Sequence, residues 1–138
     1  MPVEPYLFFN GRCEEAIDFY KRALDATDVR IMRYKDSPEK PPPGMVPPGS
    51  DNKVMHSNFK VGGTNVMASD GDCSGKLDFK GISLSVTAAN DAEADRFFAA
   101  LADGGKIQMP IGKTFFASRF GMVADKFGVS WMVIAGAG

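Results

Sequence analysis

The 138-residue sequence has a single histidine, His56, and only two cysteines, Cys13 and Cys73. Two cysteines that share no motif spacing exclude a disulfide framework. No apolar run approaches the ~20 residues that a membrane span needs, and the N-terminus has no basic segment before an apolar stretch, as a signal peptide would have. We therefore expect a cytoplasmic protein without a membrane partner.

The sequence also has no excess of charge of one sign, because its 16 Lys and Arg residues nearly balance its 17 Asp and Glu residues. This balance gives no electrostatic reason to expect a nucleic-acid partner. The sequence has no glycine-rich phosphate loop, no nucleophile elbow, and no strand followed by the glycine-rich turn and helix of an S-adenosylmethionine or dinucleotide site. No cofactor is predicted.

What is present is an internal repeat of the order strand–helix–strand–strand–strand. In the first half, apolar residues recur at helical spacing over 13–24, which predicts a helix. A glycine pair, Gly62 and Gly63, predicts the turn of a hairpin. The strands of this half are predicted over four segments: 6–9, 29–34, 55–61 and 64–70.

The second half repeats that order. Its helix is predicted to begin at Asn90, with Glu93 completing a capping box, and to stop at Gly104 and Gly105. Its strands are predicted over four segments: 82–86, 106–109, 115–124 and 129–134.

The two halves are expected to form a single domain, 1–138, since neither half is large enough to bury its sheet face alone. Their bounds are about 1–72 and 79–138, with a polar linker over 70–78. The proline-rich segment 36–52 is predicted to be an extended loop. It is either a stiff connector or a functional element, such as a lid over a pocket or an arm that clasps a second subunit.

Several local stretches resemble the PhnB-like, or 3-demethylubiquinone methyltransferase-like, branch of the vicinal oxygen chelate superfamily. The superfamily includes glyoxalase I, bleomycin-resistance proteins and extradiol dioxygenases. The resemblance implies an α+β fold of paired βαβββ modules that form a curved mixed-sheet cup, and it implies a homodimer. Methyltransferase activity is not expected, because the site that would bind its cofactor is missing. The stretches are 5–11, 15–20, 54–56, 67–70, 120–121 and 125–131.

In metal-dependent relatives, the resemblance implies four His or Glu ligands on the first and fourth strands of each module. The matching positions here are Pro5, Ala68, Gly81 and Met132, with Ser69 as the neighbouring alternative to Ala68. Side chains of these types do not bind hard or borderline cations, and a methionine thioether prefers soft metals. The usual metal site is therefore predicted to be absent.

If the positions matched to ligands face the cup, strand alternation predicts which other side chains line it. A shift of one residue would instead turn His56 and Ser69 inward and Asp70 outward. His56 is either a weak candidate for a catalytic general base or a structural histidine bonded to a neighbour such as Ser69. The predicted pocket comprises Leu7, Phe9, Ser57, Phe59, Ala68, Asp70, Ser83, Ser85, Ser130 and Met132.

These observations favour a protein that binds a small molecule in the cup without the usual metal, or an enzyme whose chemistry has diverged. One alternative is a lyase, isomerase or dioxygenase whose metal has moved to His56 and nearby groups in the linker. Another is a resistance protein that sequesters a drug. Trp131 is expected in the core, and Arg119 is either a surface or interface residue or an anion-binding group. The linker groups are Asp70, Asp72, Cys73 and Asp78.

Overall fold

The computed structural model describes residues 2–38 and 44–136 and divides into two compact units between Leu77 and Asp78. Within those residues, neither α-helix is long and apolar enough to cross a membrane. Unit 1 contains β1 (Tyr6–Phe8), α1 (Cys13–Leu24), β2 (Thr27–Arg33), β3 (Val54–Val61) and β4 (Thr64–Ser69). Unit 2 contains β5 (Ser83–Thr87), α2 (Asp91–Ala102), β6 (Lys106–Gly112), β7 (Arg119–Ala124) and β8 (Ser130–Ala135).

Unit 1 is a four-stranded sheet in the order β1-β4-β3-β2, covered on one face by α1. β1 runs parallel to β4, and the other pairs are antiparallel. The apolar side of α1 is buried, and the Tyr20 ring stacks on Phe59 of β3 with centroids 6.1 Å apart. Burial of such large aromatic side chains supplies most of the driving force for packing the helix on the sheet.

Unit 2 repeats this arrangement with the order β5-β8-β7-β6, in which β5 is parallel to β8. α2 packs on β7 and β8, where Trp131 and Val133 are buried. Gly121 lies directly under the helix, since a Cβ added to it would come 2.6 Å from the Phe98 ring. The α+β class and the repeated βαβββ order are confirmed.

The two helices begin in different ways. At α2, Asn90 Oδ1 accepts a hydrogen bond from Glu93 N (2.8 Å), and the Glu93 carboxylate accepts one from Ala89 N (3.0 Å). This matches the predicted capping box, except that the second donor is the residue before Asn90. At α1, the residue that precedes the helix, Arg12, makes no capping hydrogen bond with its side chain.

Two strand bounds in unit 2 differ from prediction by more than one residue. β6 passes through Pro110 to Gly112, because it is an edge strand whose pairing is irregular between Met109 and Gly112. Edge strands and bulges are where a sheet tolerates proline. β7 begins at Arg119 rather than at residue 115, since the Thr114 hydroxyl accepts hydrogen bonds from the backbone of 116 and 117 and closes a turn there.

The proline-rich segment is only partly described, and the prediction of an extended loop over 39–43 lies outside the described residues. A short 3-10 helix spans Tyr34–Asp36, and residues 44–53 form turns and bends. Ser50 is buried and its hydroxyl donates to Pro47 O (2.7 Å). The roles of lid or subunit arm stay predictions.

Candidate functional site

The strand register of unit 1 separates a face that packs on α1 from a face that is turned away from it, which we call the distal face of unit 1. Leu7, Ala68 and Ser57 are register partners across three strands and share the packed face. The Cys13 thiol of α1 lies 3.7 Å from Ser57 Oγ. These residues are therefore part of the core.

This placement corrects the predicted pocket in unit 1. Five of its residues are buried in the core rather than placed on the distal face, each with 8% exposure or less. Alternation along a strand shows which side chains share a face, but it does not show which face a helix covers. Both faces of β1 carry aromatic or large apolar residues, so the pattern could not discriminate. The five are Leu7, Phe9, Ser57, Phe59 and Ala68.

Asp70, also assigned to the pocket, has a structural position. Its side chain is 1% exposed and accepts hydrogen bonds from three backbone groups: Gly11 N (2.9 Å), Cys13 N (2.7 Å) and Val54 N (2.7 Å). A carboxylate near the first N–H groups of a helix also complements the helix dipole. Asp70 thus joins the start of α1 and the start of β3 to the end of β4.

The distal face of unit 1 brings together Tyr6 and Phe8, which were not predicted to form a site, and His56, the weak candidate that a shift of one residue would turn inward. Tyr6 and Phe8 of β1 stack with centroids 5.0 Å apart, and they are 38% and 51% exposed. The Tyr6 hydroxyl lies 2.9 Å from His56 Nδ1, and the two rings are 5.5 Å apart. His56 is thus bonded to Tyr6 and not to Ser69, the neighbour that we had expected.

Three further strands complete this face. Across the sheet, Tyr6 is the register partner of Met67, Met67 of Asn58, and Asn58 of Arg30. A bulge in β3 sets the position of His56, because its partner is Met32 while the next pair is Arg33 with Val54. An extra residue in one strand re-aims the side chains beside it, and alternation alone does not predict it.

The electrostatics favour a protonated phenol in this cluster. Partial burial raises the pKa of Tyr6, and the neighbouring Ser69 hydroxyl has a smaller, opposing effect on that pKa. Tyr6 therefore keeps its O–H proton at neutral pH and donates it to Nδ1 when the imidazole proton is on Nε2. The pair then presents an N–H donor at Nε2.

In unit 2, the four residues assigned to the pocket lie on the face turned away from α2, since they alternate with buried residues such as Trp131 and Val133. Ser130 Oγ donates to Gln108 Oε1 (3.0 Å). That these side chains line a binding cup stays a prediction. The four are Ser83, Ser85, Ser130 and Met132.

Two other residues of unit 2 have clear partners. Trp131 is in the core, where its indole N–H donates to Asp125 Oδ2 (2.9 Å). Arg119 makes ion pairs with two carboxylates of α2, Asp91 at 3.5 Å and Asp95 at 3.2 Å. The hypothesis of an anion-binding arginine at this position therefore loses support, because α2 already supplies its anionic partners.

Comparison with known structures defines the class. The fold is shared with FosX, the fosfomycin resistance protein of Listeria monocytogenes, at a TM-score of 0.66 with 14% identity over 99% of this chain and 92% of that one. PA1353 from Pseudomonas aeruginosa superimposes with a TM-score of 0.84 and 40% identity over 99% and 98% of the two chains. The repeated βαβββ units and these neighbours show the fold that was predicted from the resemblance to the vicinal oxygen chelate superfamily.

A family model and further relatives define the family. A family model described as 3-demethylubiquinone-9 3-methyltransferase matches residues 2–134. Protein YjdN of Escherichia coli is 39% identical, covering 96% of this chain and 94% of that protein. A putative 3-demethylubiquinone-9 3-methyltransferase, PhnB protein, from Bacillus cereus has a TM-score of 0.80 and 33% identity over 99% and 100% of the chains. This chain belongs to the PhnB-like family.

The superfamily implies a divalent metal, so the donor set needs a direct test. Pro5, Ala68 and Gly81 have no side-chain donor atom, and Met132 offers only a thioether. Among residues 2–38 and 44–136, no three His, Cys, Asp or Glu side chains are grouped so that they could hold a metal ion. A catalytic divalent ion needs about three N, O or thiolate ligands, so the residues present do not fit one.

The linker residues do not fit a relocated metal site either. Both Asp70 oxygens accept backbone N–H bonds. Asp72 and Asp78 each accept a hydrogen bond from a backbone N–H two residues further along the linker. Burial raises the pKa of the Cys73 thiol, which disfavours the thiolate that a metal would need.

Proposed function

We propose that this protein binds a small molecule on the distal face of unit 1, without a metal ion in the site. The observation that carries the proposal is the Tyr6–His56 hydrogen bond inside a cluster of exposed rings. A soluble domain normally buries rings of this size or gives them a binding role, so the cluster is a candidate contact surface.

The chemistry of the cluster suits a ligand with both flat and polar parts. The stacked Tyr6 and Phe8 rings offer an apolar surface, and the His56 imidazole offers a polar group beside it. Ligand sites commonly combine an apolar lining with a few positioned polar groups. Because all three residues lie on paired strands, the site would be held rigidly before a ligand arrives.

A second candidate function rests on the same hydrogen bond. His56 could remove a proton from a bound molecule in its other neutral tautomer, in which Nδ1–H donates to the Tyr6 oxygen and the unprotonated Nε2 acts as a general base. The test is deuterium uptake from D₂O at the carbon next to a carbonyl group in any carbonyl compound that binds. His56→Ala should abolish that uptake. Equal uptake in wild type and variant would remove this candidate.

The binding proposal is tested by metal analysis and by NMR. Purified protein is expected to hold no stoichiometric Ni, Zn, Fe or Mn. Addition of a library of small aromatic compounds should shift backbone amide signals of β1, β3 and β4. Tyr6→Phe and His56→Ala should each weaken the binding of the hit compounds severalfold. Tyr20→Phe is the matched control, because Tyr20 belongs to α1 and stacks on Phe59, on the face of the sheet opposite to the cluster.

Two results would overturn the proposal: tightly held stoichiometric metal, or library hits that shift amides only outside the distal face of unit 1. A metal bound in proportion to His56, and lost in His56→Ala, would revive the relocated metal site. The methyltransferase activity in the family's description is not part of the proposal, since the sequence has no site of the usual form for S-adenosylmethionine.

We further propose that the protein self-associates as a homodimer and is located in the cytoplasm. Support for self-association comes from large apolar side chains of unit 2 that are 44% to 100% exposed. Exposed apolar surface of this kind is typical of interaction sites. Light scattering coupled to size exclusion tests the dimer, a monomeric mass would contradict it, and a fluorescent fusion tests the location. The residues are Ile82, Ile107, Met109 and Phe115.

A further inference from the structure

We infer that the ligand of the distal face of unit 1 is a small planar anion, an aromatic carboxylate. The inference deepens the proposed function and rests on it. Three properties of this face carry it: its charge, its hydrogen-bond donors and its flat apolar surface.

The charge of the face is positive. The strand register places two cations on it, Arg30 opposite Asn58 and Lys60 opposite Asn65. No paired strand position on this face carries a carboxylate; Asp28 falls in a bulge of β2, outside the paired positions. A cationic face without acids favours an anionic ligand over a neutral or cationic one.

The two cations differ from Arg12, Arg33 and Lys53, whose side chains already have partners within unit 1. Arg12 and Arg33 are each paired with a glutamate at 2.7 Å, and Lys53 donates to Gly11 O (2.8 Å). Among the described residues, Arg30 and Lys60 have no ion-pair or hydrogen-bond partner. They can therefore bind a ligand without breaking an existing contact.

The Tyr6–His56 pair presents a hydrogen-bond donor in either charge state of the imidazole. When the ring is neutral and accepts the Tyr6 proton, its Nε2–H is a donor. When the ring is protonated, Nδ1–H donates to the phenol oxygen, and both the phenol O–H and Nε2–H are then donors. Together with the guanidinium of Arg30, the pair matches a ligand that accepts several hydrogen bonds, as a carboxylate does.

The flat part of the ligand follows from the exposed apolar side chains of this same face. The Tyr6 and Phe8 rings are tilted by only 27° to one another, and Met32 is 41% exposed. Rings and thioethers make favourable contacts with an aromatic body. β1 and β2 are three strand spacings apart, roughly 14 Å. The long Arg30 side chain covers part of that span, and a ring with a short acid arm covers the rest.

The test compares three molecules of one shape: trans-cinnamate, cinnamyl alcohol and cinnamylamine, each titrated into the full chain by NMR. Cinnamate is expected to bind at least tenfold more tightly than the other two and to shift amides of β1, β3 and β2. Arg30→Gln should weaken the binding of cinnamate about tenfold and leave the binding of cinnamyl alcohol unchanged. Arg22→Gln, an exposed arginine of α1, is the control and should change neither.

The outcomes separate this inference from the proposed function. Equal binding of the alcohol on the same strands, unaffected by Arg30→Gln, overturns the anionic class and leaves small-molecule binding on this face standing. Tighter binding of cinnamylamine than of cinnamate on these strands also overturns the anionic class and leaves small-molecule binding standing. If none of the three molecules shifts these strands, the inference fails, and hits from the wider library then decide the proposed function separately.

Discussion

Units 1 and 2 have the same order of elements and the same order of strands, yet each anchors its helix differently. In unit 2, Asn90 and Glu93 cap α2 with groups that are neighbours in sequence. In unit 1, the carboxylate of Asp70, directly after β4, bonds to the start of α1, although Asp70 is 57 residues away from Cys13 in the sequence. One fold thus accommodates a local and a long-range way of satisfying the first N–H groups of a helix.

Each unit also buries one aspartate after a strand. Asp125 accepts hydrogen bonds from Phe127 N (2.9 Å), Val129 N (3.1 Å) and the Trp131 indole (2.9 Å), all within six residues. Asp70 instead bonds to segments that are far apart in sequence. The difference indicates that Asp70 stabilises the tertiary packing of its unit, whereas Asp125 stabilises a hairpin turn.

The largest expected effect follows from this contrast. Asp70→Ala should lower the free energy of unfolding by about 4 kcal/mol, because it leaves two buried N–H groups and one partly buried N–H group without their charged acceptor. Asp125→Ala should cost about 2 kcal/mol, since its donors lie in one turn that can rearrange as a unit. Urea titration measures both values, and hydrogen exchange shows which unit loses protection.

The matched control for both variants is Asp72→Ala, whose exposed carboxylate accepts one hydrogen bond in the linker. It should change stability by no more than about 0.5 kcal/mol. If Asp125→Ala lowers the free energy of unfolding as much as Asp70→Ala does, the long-range contacts of Asp70 contribute no more to stability than the local contacts of Asp125.

The contrast also explains what could be predicted from sequence. The Asn90–Glu93 box is confirmed because both partners lie within one helical turn, where residue type and spacing are informative. The role of Asp70 could not be predicted, since its partners Gly11 and Cys13 become neighbours only after the sheet forms. Asp70 was assigned to a pocket because strand alternation was extended to residue 70, whereas β4 ends at Ser69.

Residues that are close in sequence also decide whether the face of a sheet that packs on its helix can be predicted. In unit 2, small polar residues such as Ser83 and Ser85 alternate with Leu84 and Val86, so alternation indicates which side meets the helix. In unit 1, Tyr6 and Phe8 alternate with Leu7 and Phe9, and residue type does not separate the sides. Tyr6 and Phe8 were missed for this reason, although their signal, a strand with aromatic residues on both faces, is visible in the sequence.

The second prediction concerns how closely each helix approaches its sheet. Gly121→Ala in β7 should cost about 2 kcal/mol, because the added methyl group would lie 2.6 Å from the Phe98 ring and 2.9 Å from the backbone of Ile111. Gly112→Ala in β6 is the control, since no atom lies within 4 Å of its added Cβ. Thermal unfolding of both variants measures the difference. A Gly121 variant as stable as wild type would show that α2 can move away from β7.

The third prediction concerns pH and applies to unit 1 alone, which holds both cysteines. Burial, and to a lesser degree the charge of Asp70, raise the pKa of Cys13 from 9.0 to about 12, and the hydrogen bond with Ser57 opposes this rise. The folded thiol therefore binds its proton more tightly than the unfolded one. Its contribution to stability is complete below pH 9 and is lost as the pH rises from 9 towards 12.

By pH 10 the loss attributable to Cys13 should be about 1.4 kcal/mol. Urea titrations at pH 8 and pH 10 compare wild type with Cys13→Ala, in which this part of the loss should disappear. Other groups with raised pKa values, such as Cys73 and Tyr34, are common to both proteins and cancel in the difference. Equal losses in the two proteins would show that the Cys13 site admits water in the folded state.

The smallest expected effect returns to the two helix starts. Asn90→Ala removes the acceptor for Glu93 N and should lower the free energy of unfolding by about 1 kcal/mol. Arg12→Ala, at the equivalent position of α1, should cost no more than about 0.5 kcal/mol, because its side chain does not cap the helix and its ion pair with Glu15 is exposed. Asn90→Asp should retain the stability of wild type, since aspartate caps as well as asparagine. If Arg12→Ala costs as much as Asn90→Ala, then Asp70 does not replace a local cap at α1, and the difference between the two units lies elsewhere.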